Sequence, residues 1–102
     1  MNTVEKICRR IDETEVLDML QEECAELIQA ASKCKRVIKG DDSVNPRDAR
    51  ESLVEEMADV QVMRTIVLCK ILTPEEWDKV CATIGDKTGR YLERINRRTA
   101  NE

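Results

Sequence analysis

The 102 residues make about one domain, since domains run to roughly 100–150 residues, and leave no room for a second. Apolar residues reach 41% but aromatics only 2%, with no Phe, so the core is aliphatic and favours helix over the aromatic, β-branched composition of strands. A net charge of −4 and a pI near 5.0 exclude the broad basic face that nucleic-acid binding needs, and the absence of His excludes His-based triads and the usual Cys/His zinc site.

The longest apolar run falls far short of the roughly 18–20 residues of a bilayer span, and the N-terminus lacks the layout of a signal peptide. The chain therefore reads as soluble and cytoplasmic, with no membrane partner. Cys8, Cys24, Cys34, Cys69 and Cys81 form no CxxC pair and mostly occupy positions that are apolar on a helix, which predicts reduced core residues.

Val4, Ile7, Cys8 and Ile11 recur at helical spacing and predict a short first helix. Asp12 and Glu15 resemble a capping box for a second helix from about residue 13 to about 38, ending at Gly40. Its predicted apolar stripe is Leu17, Leu20, Cys24, Leu27, Ala31, Cys34 and Ile38. After a polar loop, Asn45 caps a third helix with Pro46 in its first turn, continuing to about Leu72. Thr73-Pro74-Glu75-Glu76 starts a fourth helix, in which Gly85 and Gly89, each weakening a helix by roughly 1 kcal/mol, invite a kink. Residues from Arg98 to Glu102 are expected to fray.

Two acid pairs carry the chemistry. Glu23 and Glu26 on the second helix, and Glu56 and Asp59 on the third, are each spaced i, i+3, which sets both carboxylates on one side, a turn apart. At about 100° per residue, Glu56 falls within roughly 40° of Ala49, Val60, Met63 and Val67, in the middle of an apolar face. Asp59 lies between Met63 and Ile66, Glu23 is bracketed by Leu20 and Leu27, and Glu26 sits beside Met19 and Ala30, whereas Glu22 and Gln29 project outward. Four acids facing a helix–helix interface must be compensated or take up protons. Lys33 and Lys70, on the flanks of Glu26 and Asp59, offer two positive charges. A hard cation, Mg²⁺ or Mn²⁺, answers the remaining excess of oxygen ligands more naturally.

These residues resemble the signature of the all-α nucleoside triphosphate pyrophosphohydrolase superfamily, the MazG-like proteins, E-E-x-x-E followed by E-x-x-D. Here it reads Glu22-Glu23-Cys24-Ala25-Glu26 and Glu56-Met57-Ala58-Asp59, and the similarity covers about residues 15 to 70. The spacer is at the long end for the family, and the Trp and Gln that many members place before the first motif are not evident. The resemblance implies an all-α, four-helix-bundle-like MazG-type fold that forms a homodimer or homotetramer. It also implies Mg²⁺ held by Glu23, Glu26, Glu56 and Asp59, and cleavage of a nucleoside triphosphate between its α- and β-phosphates. Lys87, Arg90 and Arg94 project within about 60° of one another on the last helix, with Arg97 close by. The resemblance favours Lys87 and Arg90, with Lys33, as phosphate-binding groups. Trp77 and Tyr91 are the only aromatic rings and are expected to anchor a core or an interface.

A second reading is a helical oligomerisation or adaptor module whose inward acids pair structurally. Under either reading two helices of some 40 Å each outrun the partners one chain can offer, and a second copy is expected to cover them.

Overall fold

A computed structural model describes residues 1–100. Four helices follow in order, α1 (Thr3–Arg10), α2 (Glu13–Ile38), α3 (Pro46–Lys70) and α4 (Pro74–Ala100), with no strand among the described residues. By contacts the chain divides into two units, Met1–Ile71 with the first three helices and Leu72–Glu102 with the fourth.

Each helix starts where a side chain can satisfy a free backbone N–H. Asn2 accepts from Glu5 N at 2.8 Å, Asp12 from Glu15 N at 2.8 Å, and Asn45 from Arg47 N and Asp48 N at 2.9 and 3.1 Å. Before α4, Thr73 Oγ1 accepts from Glu76 N at 3.2 Å while Glu76 Oε1 accepts from Thr73 N at 3.0 Å, a reciprocal capping box. α2 closes on Gly40, whose φ of +87° only glycine adopts without strain.

In the first unit α2 and α3 run antiparallel. The thiol of Cys34 contacts Ala49 O at 3.4 Å near the loop, Glu23 and Glu26 gather with Glu56 and Asp59 midway, and Val16 shares a cluster with Met63 and Ile66 at the far end. The inward positions of α2 are Val16, Leu20, Glu23, Leu27, Ala30, Cys34 and Val37, alternating steps of four and three residues. The matching row on α3 is Ala49, Leu53, Glu56, Val60, Met63, Val67 and Lys70. α1 caps the far end, placing Cys8 in the core cluster beside Val16, Met63 and Ile66, with Ile7 and Ile11 packed against it.

The inward row of α2 is turned from the predicted stripe. Leu17 and Ile38 are 45% and 84% exposed, and Ala31 is also exposed, whereas Val16 is fully buried and Ala30 is 3% exposed. Both sides of α2 are apolar enough to serve, and the side with small, buried Ala30 faces an α3 row that begins with small, buried Ala49, which lets the backbones approach. The unused side, with Leu17, Ile28 and Ile38, stays exposed, as do Val54, Met57 and Val62 on α3.

All five cysteines are free thiols, but Cys69 and Cys81 are exposed, so only Cys8, Cys24 and Cys34 meet the expectation of core or near-core residues. Burial and the neighbouring Cys69 thiol push the Cys8 thiol above its ordinary value.

In the second unit α4 is one helix of 27 residues that runs through both glycines without a break. Its capped start and the helix formers around Gly85 and Gly89 outweigh two costs of about 1 kcal/mol. The helix also continues through Arg98 to Ala100, where fraying is predicted; Asn101 and Glu102 lie outside the described residues. No described helix is long and apolar enough to cross a membrane.

Candidate metal centre

Glu23 and Glu56 sit in the inward rows of their helices and are half-buried; Glu26 and Asp59 stand at the rim and are exposed. The sequence reading put all four on the interface. The structure seats two there and two at its edge, because the inward position that follows Glu23 and Glu56 is four residues on, at Leu27 and Val60, which leaves the residue three on at the rim. Each of the four nevertheless offers a carboxylate oxygen within 4.8 Å of the other three.

The electrostatics are those of acids crowded without a counter-charge. Burial is the first cause that raises Glu23 above the ordinary carboxylate range, followed by Glu26, Asp59 and Glu56. Burial likewise leads for Glu56, followed by the charge of Glu26 and a hydrogen bond between the two carboxyls, then Asp59. One oxygen of each, Oε2 of Glu23 and Oε2 of Glu56, is buried with no hydrogen-bond partner. A buried carboxylate oxygen without a donor is costly while the group is charged, so the pair favours a proton or a cation.

Lysines do not complete it. Lys70 Nζ donates to the carbonyl of Cys8 at 2.8 Å, which ties α3 to α1 and commits it away from the acids. Lys33 borders a hollow of about 310 Å³ with Glu26, Gln29, Ala30, Ser52 and Glu56, yet no ion pair joins it to either acid among the described residues.

A small hard cation fits the donor set. Two oxygens on one Mg²⁺ at about 2.1 Å each stand at most about 4.2 Å apart, so oxygens already within 4.8 Å need only small side-chain adjustments. All four donors are carboxylate oxygens, the type that selects Mg²⁺ or Mn²⁺ over zinc or copper.

Of the other predicted site residues, Lys87 and Arg90 are exposed on α4, where Arg90 borders a shallow hollow with Glu93, Arg94 and Arg97. The rings of Trp77 and Tyr91 are 41% and 61% exposed, and Arg94 lies over Tyr91 at 5.2 Å. Sequence reasoning missed Ser52 and Gln29. Ser52 falls one turn before Glu56 on the inward side, a polar residue in the seam that periodicity alone marks as unusual; Gln29, read as pointing outward, reaches the hollow from the rim. No protein-family model, curated protein or solved structure matches this chain.

Proposed function

We propose that this chain is a cytoplasmic, Mg²⁺-dependent nucleoside triphosphate pyrophosphohydrolase of the MazG-like kind, which releases a nucleoside monophosphate and pyrophosphate. The observation that carries the reading is the set of four carboxylates within 4.8 Å, two of them with a buried oxygen that has no partner. Acids held this close, two of them half-buried, call for a counter-charge or a proton, and a cation supplies the first, which supports the reading.

Glu23, Glu26, Glu56 and Asp59 are the ligands in this proposal, with Mn²⁺ an acceptable substitute for Mg²⁺. When bound, the cation neutralises phosphate charge and lowers the pKa of a coordinated water. The protein's own groups do the rest. A carboxylate oxygen of Glu26 or Glu56 accepts the proton of the attacking water, a role suited to two carboxyls close enough to share one. Lys33 and Ser52, bordering the same hollow, donate to phosphate oxygens. The exposed apolar residues Leu17, Ile28 and Ile38 on α2, with Val54 and Met57 on α3, support a homodimer or homotetramer in which a second copy covers them.

The test is a panel of ribo- and deoxyribonucleoside triphosphates incubated with purified protein and Mg²⁺. Pyrophosphate and monophosphate are expected in equal amounts from at least one of them, with Glu56→Gln at background. A panel with no turnover, at a purity where the helical fold is intact, overturns the reading.

A further inference from the structure

The fourth helix carries an apolar row that the proposed function does not use. Cys81, Ile84, Thr88, Tyr91 and Ile95 follow at alternating steps of three and four residues, the spacing that lays one helix along another. None of the residues of α4 is buried, and Ile84, Tyr91 and Ile95 are each at least half exposed. Thr88, the polar member of the row, donates its hydroxyl to Ile84 O at 2.7 Å, so it can enter a seam with its donor already satisfied.

The row reads the same from both directions. Counted outward from Asp86, Ile84 and Thr88 are each two residues away, and Cys81 and Tyr91 each five. A second α4 laid antiparallel across that point therefore sets Ile84 level with Thr88 and Cys81 level with Tyr91, on both sides of a twofold axis.

The charges beside the row set the direction. At about 100° per residue, Glu76, Arg94 and Arg98 all project to one side of it. Antiparallel pairing brings that side against its own copy, with Glu76 ten residues before Asp86, and Arg94 and Arg98 eight and twelve after it. Each glutamate then falls level with a point between two arginines. Glu76 Oε1 accepts from Thr73 N at 3.0 Å, which leaves the other oxygen for them. Neither arginine is held by an acid among the described residues, and Arg94 is folded over the Tyr91 ring at 5.2 Å, along the row. Parallel pairing instead turns that side toward the opposite one, where Asp78 stands near the height of Glu76 and no acid is level with Arg94. The antiparallel register has one cost, Lys87 beside its own copy near the axis, and that side chain is long enough to turn its ammonium to water.

We propose that α4 pairs antiparallel with α4 of a second copy of this chain, crossing near Asp86. This interface is separate from the exposed faces of α2 and α3, and it does not depend on the hydrolase reading.

Cross-linking of the full chain tests the pairing and its direction, because Cys81 is a free, exposed thiol in the row. An antiparallel pair holds the two Cys81 residues ten residues of rise apart, about 15 Å, too far for a disulfide. Tyr91→Cys places a thiol opposite Cys81 of the other copy, while the same ten residues separate the two within one helix. Mild diamide oxidation is expected to join Tyr91→Cys chains into a disulfide dimer, with the bond mapped by peptide mass spectrometry to Cys81 and position 91, and to leave wild type with no link through Cys81. A wild-type dimer joined from Cys81 to Cys81 overturns the proposal. So does a Tyr91→Cys protein that still associates in sedimentation yet forms no such bond. Where the loss of the Tyr91 ring itself abolishes association, the charges decide. Arg94→Glu with Arg98→Glu, at exposed positions, is expected to need about tenfold more protein or higher to reach the species that wild type forms, since Glu76 then meets like charge. Wild type that stays monomeric, or association unchanged in the charge variant, overturns the pairing. Wild type that hydrolyses nucleotides and fails these tests loses the α4 pairing alone.

Discussion

The seam between α2 and α3 has two halves built to the same spacing and filled with opposite chemistry. Toward the chain start, Val16 packs with Met63 and Ile66 under α1; toward the loop, the same alternating register brings Glu23 and Glu56 inward. Spacing alone decides which residues face the partner helix, and residue type decides whether that position stabilises the fold or stores charge. The apolar half holds the hairpin together so that the acidic half can be kept in an arrangement that is unfavourable without a cation.

Emptying the apolar half is expected to have the largest effect. Ile66→Ala, at a residue 3% exposed, should cost about 2–5 kcal/mol in urea unfolding and lower the melting temperature with or without Mg²⁺. Converting the acidic half to the chemistry of the other half should act the other way. Glu23→Leu with Glu56→Leu is expected to raise the melting temperature of metal-free protein, because it removes like charges and buried unpartnered oxygens, while abolishing any response to Mg²⁺. A metal-free double variant that melts lower than the wild type would break the comparison.

The pH dependence sharpens it further. Glu23 and Glu56 are raised in the folded protein by burial and by the neighbouring acids, so between the ordinary and the raised values the folded chain binds more protons than the unfolded one. Metal-free stability therefore falls as pH rises through that interval. Mg²⁺ needs the deprotonated acids, so its stabilising effect should be greatest at neutral pH and vanish in acid, a contrast that melting curves with Mg²⁺ and with EDTA will measure. Asp41, held down to about 2 first by the hydroxyl and backbone of Ser43, then by Arg36, has the opposite sign. Its contribution is complete above the ordinary value of 3.8 and is lost as pH falls from there toward 2.

The smallest expected effect lies away from the seam and serves as a control. Gly85→Ala, in an α4 position with nothing within 4 Å of an added Cβ, should stabilise by about 0.5–1 kcal/mol and leave Mg²⁺ binding unchanged. Gly40→Ala should destabilise by about 1 kcal/mol or more, because its φ of +87° strains any side chain.

Helix boundaries were legible because each is written in local chemistry: Asn2, Asp12, Asn45 and Thr73 cap by contacts within three residues. The grouping of four acids was legible too, since i, i+3 spacing fixes each pair and only the pairing of helices had to be supplied. The side of α2 that packs was not, because Leu17 and Val16 are equally apolar and the choice depends on what α3 presents opposite. Lys70 was misread for the same reason: its place on the flank of Asp59 is correct on α3, yet α1 arrives with the Cys8 carbonyl and captures it. The contacts of Arg36 with Asp41 and Ser43 depended on how the loop folds back on α2, which no helical projection contains.

The most direct measurement of the central claim is calorimetric titration of Mg²⁺ into wild-type protein and Glu56→Gln at neutral pH. Saturable binding in the wild type that is lost in the variant is the predicted result. Wild-type protein that takes up no Mg²⁺, or a variant that binds it equally well, would contradict the account.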